Sequence, residues 1–127
     1  MEPMFLGLHD VLLFHERQIR DHGGSPGVRD LGLLQSALAA PAATFGGRYL
    51  HGDLYEMAAA YLHGIACNHP FIDGNKRVAT VSALTFLYLN GIDLPVSTKT
   101  WEDLVLNIAR GKLEKSGVAV FLRQQVG

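Results

Sequence analysis

The fold of this 127-residue chain is constrained most by two successive stripes of apolar residues with helical spacing, which lie in the middle of the sequence. Apolar residues recur three and four positions apart over Leu54–Ile65, directly after Asp53, whose residue type favours a helix N-cap. A second stripe covers Val78–Tyr88 and stops at Asn90-Gly91, a pair typical of helix C-termini. This second stripe has alanine or serine between its larger residues and little charge. We therefore expect its helix to lie centrally and to pack on several sides.

Shorter helical segments precede this pair. Apolar periodicity predicts a helix over residues 4–20, which the run Asp21–Gly27 ends because glycine and proline break helices. Asp30 is the expected cap of a short second helix that ends at Pro41. Residues 41–52 are small, polar and glycine-containing, so we predict that they form a loop.

Two further helices are predicted near the C-terminus, one that opens at Thr100 and is closed by Gly111, and one that opens at Ser116. Residues 92–96 have an extended pattern, but Pro95 makes them a poor central strand. The sequence therefore predicts an all-α fold, a compact bundle of about six helices that forms a single domain over residues 1–127.

Composition narrows the classes of function. Eleven lysines and arginines stand against twelve aspartates and glutamates, so the chain lacks the positive field that holds nucleic acid or an anionic membrane. Its single cysteine, Cys67, excludes an internal disulfide and fits a reducing compartment. The N-terminal sequence does not resemble a signal peptide, and no run of about eighteen apolar residues offers a membrane span. We therefore expect a cytoplasmic protein that binds neither nucleic acid nor membranes directly.

The segment between the two central helices departs from local propensity. Asp73 or Gly74 is expected at the helix N-cap, which puts Lys76 and Arg77 in the first turn. Cations there oppose the helix dipole by roughly 0.3 to 1 kcal/mol each, and the backbone N–H groups of this turn have no helical partners. A bound anion resolves both conflicts. Phosphate suits best because it accepts several hydrogen bonds, and Gly74 leaves room for it to approach the backbone.

The neighbouring residues add chemistry to this anion site. His69 has an imidazole that titrates near neutral pH, and Pro70 is expected to hold its backbone extended. Asp73 supplies a carboxylate suited to Mg²⁺. A base, a metal ligand and two fixed cations are typical of phosphoryl or nucleotidyl transfer. The alternative is that the two cations simply point to solvent or pair with Asp73 and Glu56.

Other reactive side chains are assigned structural roles. Cys67 and His69 lie two positions apart and cannot face each other on a helix, which disfavours a thiol nucleophile. His63 is expected to hydrogen-bond within the helix packing. The remaining histidines are expected at surface or cap positions: His9, His15, His22 and His51.

The segment His69-Pro70-Phe71-Ile72-Asp73-Gly74-Asn75-Lys76-Arg77 resembles the active-site motif of the Fic/Doc superfamily, in its Doc (death-on-curing) form. Leu8-His9-Asp10 and Gly23–Asp30 also resemble Doc-type segments, although both are less specific. The resemblance implies the small helical bundle of that family, in agreement with the periodicity.

Two positions differ from the AMP-transferring Fic proteins, whose pattern resembles His-Pro-Phe-x-[Asp/Glu]-Gly-Asn-Gly-Arg-x-x-Arg. Lys76 stands where they have the second glycine, and Thr80 stands where they have the last arginine. The chain is similar instead to Doc proteins, which carry Asn-Lys-Arg here. The resemblance implies a toxin that acts as a protein Ser/Thr kinase and transfers the γ-phosphoryl group of ATP to a hydroxyl, a threonine of a protein such as elongation factor Tu, and so blocks translation. AMP transfer to a protein hydroxyl, or a catalytically silent helical binding module, is the alternative.

The resemblance also implies a role for each motif residue. His69 would be the catalytic general base, and Asp73 would bind the Mg²⁺ that accompanies ATP. The expected nucleotide-binding residues are Gly74, Asn75, Lys76 and Arg77.

Many members of the superfamily carry an inhibitory helix whose glutamate pairs with the last arginine of the motif. The nearest segment here is Thr98–Glu102, but Asp103 follows it and the arginine partner is missing at Thr80. We interpret Glu102 as an ordinary first-turn helix carboxylate. Restraint is therefore expected from a separate protein, a Phd-like antitoxin.

Overall fold

The computed structural model describes residues 2–95 and 97–125, and within these ranges the chain forms six α-helices and one two-stranded antiparallel hairpin. The all-α class predicted from the apolar periodicity is confirmed. None of the helices in these ranges is both long enough and apolar enough to cross a membrane. The elements are α1 (Leu8–His22), α2 (Leu31–Ala39), β1 (Thr44–Phe45), β2 (Arg48–Tyr49), α3 (Leu54–Asn68), α4 (Asn75–Leu89), α5 (Thr98–Ala109) and α6 (Lys115–Gln124).

Helix α3 is the centre of the bundle, because it packs against α2, α4, α5 and α6. Its middle is the run Ala58–Ala60, which is buried and lets neighbouring helices approach closely. Helix α4 packs against α1, α3 and α5, as the low charge of its stripe predicted. The largest fully buried side chains include Tyr61, Phe71 and Phe86, so the segment between α3 and α4 is anchored in the core by Phe71.

The predicted N-caps of α2 and α3 are confirmed. Asp30 accepts a hydrogen bond from the Leu33 N–H group at 3.0 Å, and Asp53 accepts one from the Glu56 N–H group at 2.8 Å. Two C-terminal helices begin earlier than predicted. Helix α5 begins at Thr98 because Ser97 is its cap, and α6 begins at Lys115, one residue before Ser116.

Helix α1 begins later than predicted, because residues 2–7 form a non-helical arm. The arm is tied to the end of α4, where Asn90 accepts a hydrogen bond from the Met4 N–H group at 2.8 Å and donates one to the Met4 carbonyl at 3.1 Å. It is also tied to α3, where the Tyr61 hydroxyl accepts the Leu6 N–H group at 2.9 Å. Burial raises the pKa of Tyr61 to about 12, so this hydroxyl stays protonated.

The prediction that residues 41–52 form only a loop was partly wrong. Pro41 ends α2 as expected, but the chain continues as a 3₁₀ turn over Ala40–Ala42 and then as the hairpin. Gly46 and Gly47 turn the hairpin with φ of 59° and 78°, values that glycine adopts readily. Two-residue strands of mostly exposed residues leave no alternating pattern to find in a sequence. Residues 92–95 are not a strand, and Val96 lies outside the described residues.

Candidate active site

A groove of about 970 Å³ lies between α1, α4 and α5. All six residues that the sequence analysis singled out line it, namely His69, Asp73, Gly74, Asn75, Lys76 and Arg77. Its other end is largely apolar, with walls that include Val81, Leu84, Trp101, Val105 and Leu106. The groove therefore joins a charged end, at the start of α4, to an end that suits a less polar group.

The charged end is the first turn of α4. Gly74, one of the two residues expected there, is the N-cap, and its φ of 81° is a left-handed conformation that glycine adopts at no steric cost. The first bond of the helix runs from the Val78 N–H group to the Gly74 carbonyl at 3.0 Å, so the preceding amides have no partner within the helix. Lys76 and Arg77 are exposed, and neither forms an ion pair with a carboxylate of the described residues. Within residues 2–95 and 97–125, two cations without an ion-pair partner thus lie beside amides that have no helical partner.

The side chain of Asn75 closes the loop that leads into α4. Its Oδ1 accepts the Phe71 N–H group at 2.9 Å, and its Nδ2 donates to the Phe71 carbonyl at 2.9 Å. Both halves of the amide are therefore engaged with the loop. What Asn75 can offer to an anion is its backbone N–H group, at the first position of the helix.

The prediction that His69 has an extended backbone was wrong. Its φ of 48° and ψ of 55° are left-handed, and it is the only described residue other than glycine with a positive φ. The reason is that His69 ends α3, a position where a left-handed residue, usually glycine, lets the chain turn. For a residue with a side chain this conformation costs roughly 1–2 kcal/mol. The imidazole is exposed and lines the groove.

The strained loop is held by the segment before α2, residues 27–30. The N–H groups of Arg29 and Asp30 both donate to the Pro70 carbonyl, at 2.7 and 3.0 Å, and the Ile72 N–H group donates to the Gly27 carbonyl at 3.2 Å. The Arg29 guanidinium adds two bonds to the carbonyls at the end of α3. No role for Arg29 was predicted from the sequence, where its only signal was the weak Doc-type resemblance of Gly23–Asp30.

Asp73 is held by the loop that follows α1. Its Oδ2 accepts the Ser25 N–H group at 2.8 Å. A Cβ atom at Gly24 would lie 3.3 Å from the Cβ of Asp73, and Gly24 has a φ of 110°, so glycine is needed there on both counts. The carboxylate is therefore oriented by a backbone amide before any ligand binds.

The groups around Asp73 fit Mg²⁺ bound together with a nucleotide. In the ranges that the structure describes, no three or more His, Cys, Asp or Glu side chains are grouped closely enough to hold a metal by themselves. Mg²⁺ commonly takes one or two protein carboxylates and completes its octahedron with phosphate oxygens and water. A single exposed carboxylate beside the N-terminus of a helix, where backbone amides favour anions, fits that donor set.

His15 is buried, in contrast to the surface position expected for it. It lies on the face of α1 that packs on the loop, and its side chain is 5% exposed. Its Nε2 donates to the Asp73 carbonyl at 2.9 Å, which assigns the proton to that nitrogen. His51 is also buried, and burial together with the nearby Lys115 lowers its pKa.

Cys67 contacts a different histidine from the one in the motif. Its Sγ lies 3.7 Å from the Nε2 of His63 and 3.8 Å from the Ile108 carbonyl. Burial raises the pKa of the Cys67 thiol, and burial and Lys115 lower the pKa of His63, although Glu114 opposes that shift. Both groups are therefore neutral near pH 7, which is the opposite of an activated thiolate–imidazolium pair.

Glu102 lines the groove. It was expected in the first turn of its helix, and this prediction was wrong. Because α5 begins at Thr98, two residues before the predicted Thr100, Glu102 is its fifth residue and lies in the second turn. Its carboxylate is exposed, on the α5 side of the groove.

The fold and the groove together define a Fic/Doc-type helical domain. The model of the Fic/DOC family matches residues 5–87, and the chain belongs to this family. It is 40% identical to Toxin Doc of Mycolicibacterium smegmatis over 102 residues, which are 79% of this chain and 78% of that protein. It is 35% identical to Protein kinase doc of Escherichia phage P1 over 118 residues, which are 93% and 92% of the two chains. These relatives assign it to the Doc toxin branch.

Proposed function

We propose that this chain is a Doc-like toxin that transfers the γ-phosphoryl group of ATP to a hydroxyl of a target protein. A threonine of a translation factor such as elongation factor Tu is the proposed acceptor, which would place its action in the cytoplasm. The observation that carries the proposal is that one groove contains both an imidazole and a helix start with two cations, neither of which pairs with a carboxylate in the described part of the chain. The name of one relative, Protein kinase doc, supports phosphoryl transfer as the reaction.

The start of α4 would bind the phosphates. Phosphoryl transfer depends on positioning and charge neutralisation more than on covalent chemistry. The backbone amides of the first turn, together with Lys76 and Arg77, supply donors and positive charge in one place. Mg²⁺, which Asp73 would hold together with phosphate oxygens, supplies further neutralisation of the triphosphate when bound.

His69 would act as the general base. The proton of the target hydroxyl passes to an imidazole nitrogen as the hydroxyl oxygen bonds to the γ-phosphorus. The bond between that phosphorus and the oxygen bridging to the β-phosphate breaks, and ADP leaves with the electron pair. A positioned base contributes about 10²- to 10⁴-fold to such a reaction, so His69→Ala should reduce turnover by about that factor.

Transfer of AMP is the alternative reaction, and two side chains of the groove weigh against it. Lys76 fills the position at which AMP-transferring Fic proteins have a glycine, and Thr80 the position at which they have an arginine. Threonine is neutral and so offers no positive charge to a terminal phosphate, and the Thr80 hydroxyl already donates to the Lys76 carbonyl at 3.1 Å. We therefore favour γ-phosphoryl transfer.

The test is label transfer from ATP labelled at either the α or the γ phosphate, with purified elongation factor Tu and a cell extract as acceptors. We expect γ label on one major protein, lost in His69→Ala and retained in His9→Ala, which removes an exposed histidine of α1. Transfer of α label would assign the chain to AMP transfer. Absence of both labels would support a binding module.

We also propose that a Phd-like antitoxin restrains the activity. Expression of the chain alone should stop growth, and co-expression of its antitoxin should restore it. The His69→Ala variant should be harmless when expressed at the same level. Toxicity that persists in His69→Ala would mean that growth arrest does not depend on catalysis.

A further inference from the structure

We propose that Arg29 is a positioning residue whose guanidinium fixes the left-handed backbone of His69 and thereby the direction of its imidazole. The inference rests on the proposed function only for the role of that imidazole as a base. The contacts that carry it are within the chain, at the junction of α3 and the loop.

The two hydrogen bonds of the Arg29 guanidinium act directly on the φ and ψ angles of His69. These angles set the rotation between the peptide planes on either side of its Cα atom, and each plane is marked by a carbonyl oxygen. Arg29 Nη2 donates to the Asn68 carbonyl at 2.9 Å, and Nε donates to the His69 carbonyl at 2.7 Å. Because the guanidinium is rigid and planar, one group holds both planes in fixed relation.

The backbone of Arg29 extends this hold by one residue, since its N–H group donates to the Pro70 carbonyl at 2.7 Å. Arg29 therefore binds three consecutive carbonyls, those of residues 68, 69 and 70. Its cation also lies at the C-terminal end of α3, where the helix dipole favours positive charge.

The two bonds of the Arg29 guanidinium select one backbone conformation of His69; they are not needed to give buried carbonyl groups a hydrogen-bond partner. The two bonds of the guanidinium lie at exposed positions, so water can take its place at the carbonyls of Asn68 and His69. Without the guanidinium these oxygens would still find partners, but His69 would be free to leave the left-handed region. The residue before a proline prefers an extended backbone, which would redirect the Cβ of His69.

The variant Arg29→Lys tests whether the two-pronged hydrogen bonding of the guanidinium matters or only its charge. Lysine keeps the positive charge but cannot hold two carbonyls in fixed relation. We expect kcat to fall about 10- to 100-fold, as for a misplaced catalytic group, while the KM for ATP stays unchanged because the phosphate-binding turn is intact. In Arg29→Ala, added guanidinium ion should restore part of kcat, and sodium chloride at the same ionic strength should not. The matched control is Arg17→Lys, which makes the same change at an exposed arginine of α1 that does not line the groove and should leave kcat unchanged.

A second measurement does not depend on activity. The Cα and carbonyl ¹³C shifts of His69 should move from left-handed toward extended values in Arg29→Lys, while those of α4 stay in place. Unmoved His69 shifts, or moved shifts with wild-type kcat, would overturn the proposal. If wild-type protein transfers no phosphate but the shifts move, the proposed kinase activity fails and the hold of Arg29 on His69 stands.

Discussion

The imidazole of His15 stacks on the ring of Phe71, with the ring centroids 4.0 Å apart and the planes 8° from parallel. The same imidazole donates to the Asp73 carbonyl two residues further on. Helix α1 thus supports the loop between α3 and α4 at two points, in addition to the support from residues 27–30. The buried position of His15 follows from this contact.

His15→Phe should keep the ring stacking and lose the hydrogen bond. We expect the free energy of unfolding to fall by about 1 kcal/mol, the typical net value of one such bond. In His15→Leu the free energy of unfolding should fall by about 0.5–1.5 kcal/mol more, because the stacking is lost as well. Urea unfolding measures both, with His9→Phe on the exposed face of the same helix as control. Equal stability of His15→Phe and wild type would mean that the bond to Asp73 is not formed in solution.

Asn75→Ala should destabilise the protein by about 1–3 kcal/mol. The reason is that the Phe71 N–H group and carbonyl lose their side-chain partner, and Phe71 is fully buried. Chemical denaturation measures the change. Asn107→Ala, at an exposed site of α5, should leave stability within about 0.5 kcal/mol of wild type. A similar small change in both variants would contradict the role of Asn75 in closing the loop.

Arg77→Ala should weaken the binding of ATP. A hydrogen bond to a charged group contributes about 1.5–3 kcal/mol, so we expect a loss of at least about 10-fold in affinity. The intrinsic fluorescence of Trp101, the only tryptophan and a residue of the groove wall, provides the measurement. Arg17→Ala should bind as wild type does. Unchanged affinity in Arg77→Ala would place the phosphates elsewhere.

Asp53→Ala should lower stability at neutral pH by about 1 kcal/mol, the usual value of an N-cap. Burial tends to raise the pKa of Asp53, but hydrogen bonds from the Glu56 N–H group and Arg123 outweigh it and leave the pKa below its ordinary 3.8. The carboxylate therefore stabilises the fold above that pH, and this stabilisation is lost as the pH falls through its own lower pKa.

The measurement for Asp53 is urea unfolding of both proteins at neutral pH and at about pH 3. The difference in the free energy of unfolding between wild type and Asp53→Ala should be smaller at the acidic pH than at neutral pH. Arg123→Gln should have a smaller effect, since the pair that it forms with Asp53 at 2.7 Å is partly exposed to solvent. A difference that is constant with pH would contradict the linkage.

Cys67→Ser should retain full transfer activity. Its thiol has a raised pKa and lies against His63 and the Ile108 carbonyl, outside the groove. Label transfer in the presence of a thiol-alkylating reagent gives the same comparison. Loss of activity in Cys67→Ser at unchanged stability would revive the thiol nucleophile.

The helices and the position of the groove could be predicted because local signals specify them. Apolar periodicity located the six helices, and residue type located the caps Asp30 and Asp53. For α4 the sequence left two candidates, Asp73 and Gly74, of which Gly74 is the cap. The motif residues could be placed together because they lie within one short loop and one helical turn.

The supports of the loop could not be predicted, because they come from residues far along the chain. Arg29 binds carbonyls 39 and 40 positions away, and His15 binds one 58 positions away. No local pattern encodes such contacts. The backbone of His69 was wrongly predicted for a related reason, since the preference set by Pro70 is overridden by the turn at the end of α3 and by these distant contacts.

The connection between α3 and α4 has a consequence for the order of folding. These helices are adjacent in sequence and pack against each other, so closing them requires only a short loop. The bond between Met4 and Asn90, by contrast, joins residues 86 positions apart. Since local contacts form before distant ones, we expect the α3–α4 hairpin to belong to the folding nucleus and the N-terminal arm to dock last. The motif would then be assembled early, as the turn of that nucleus.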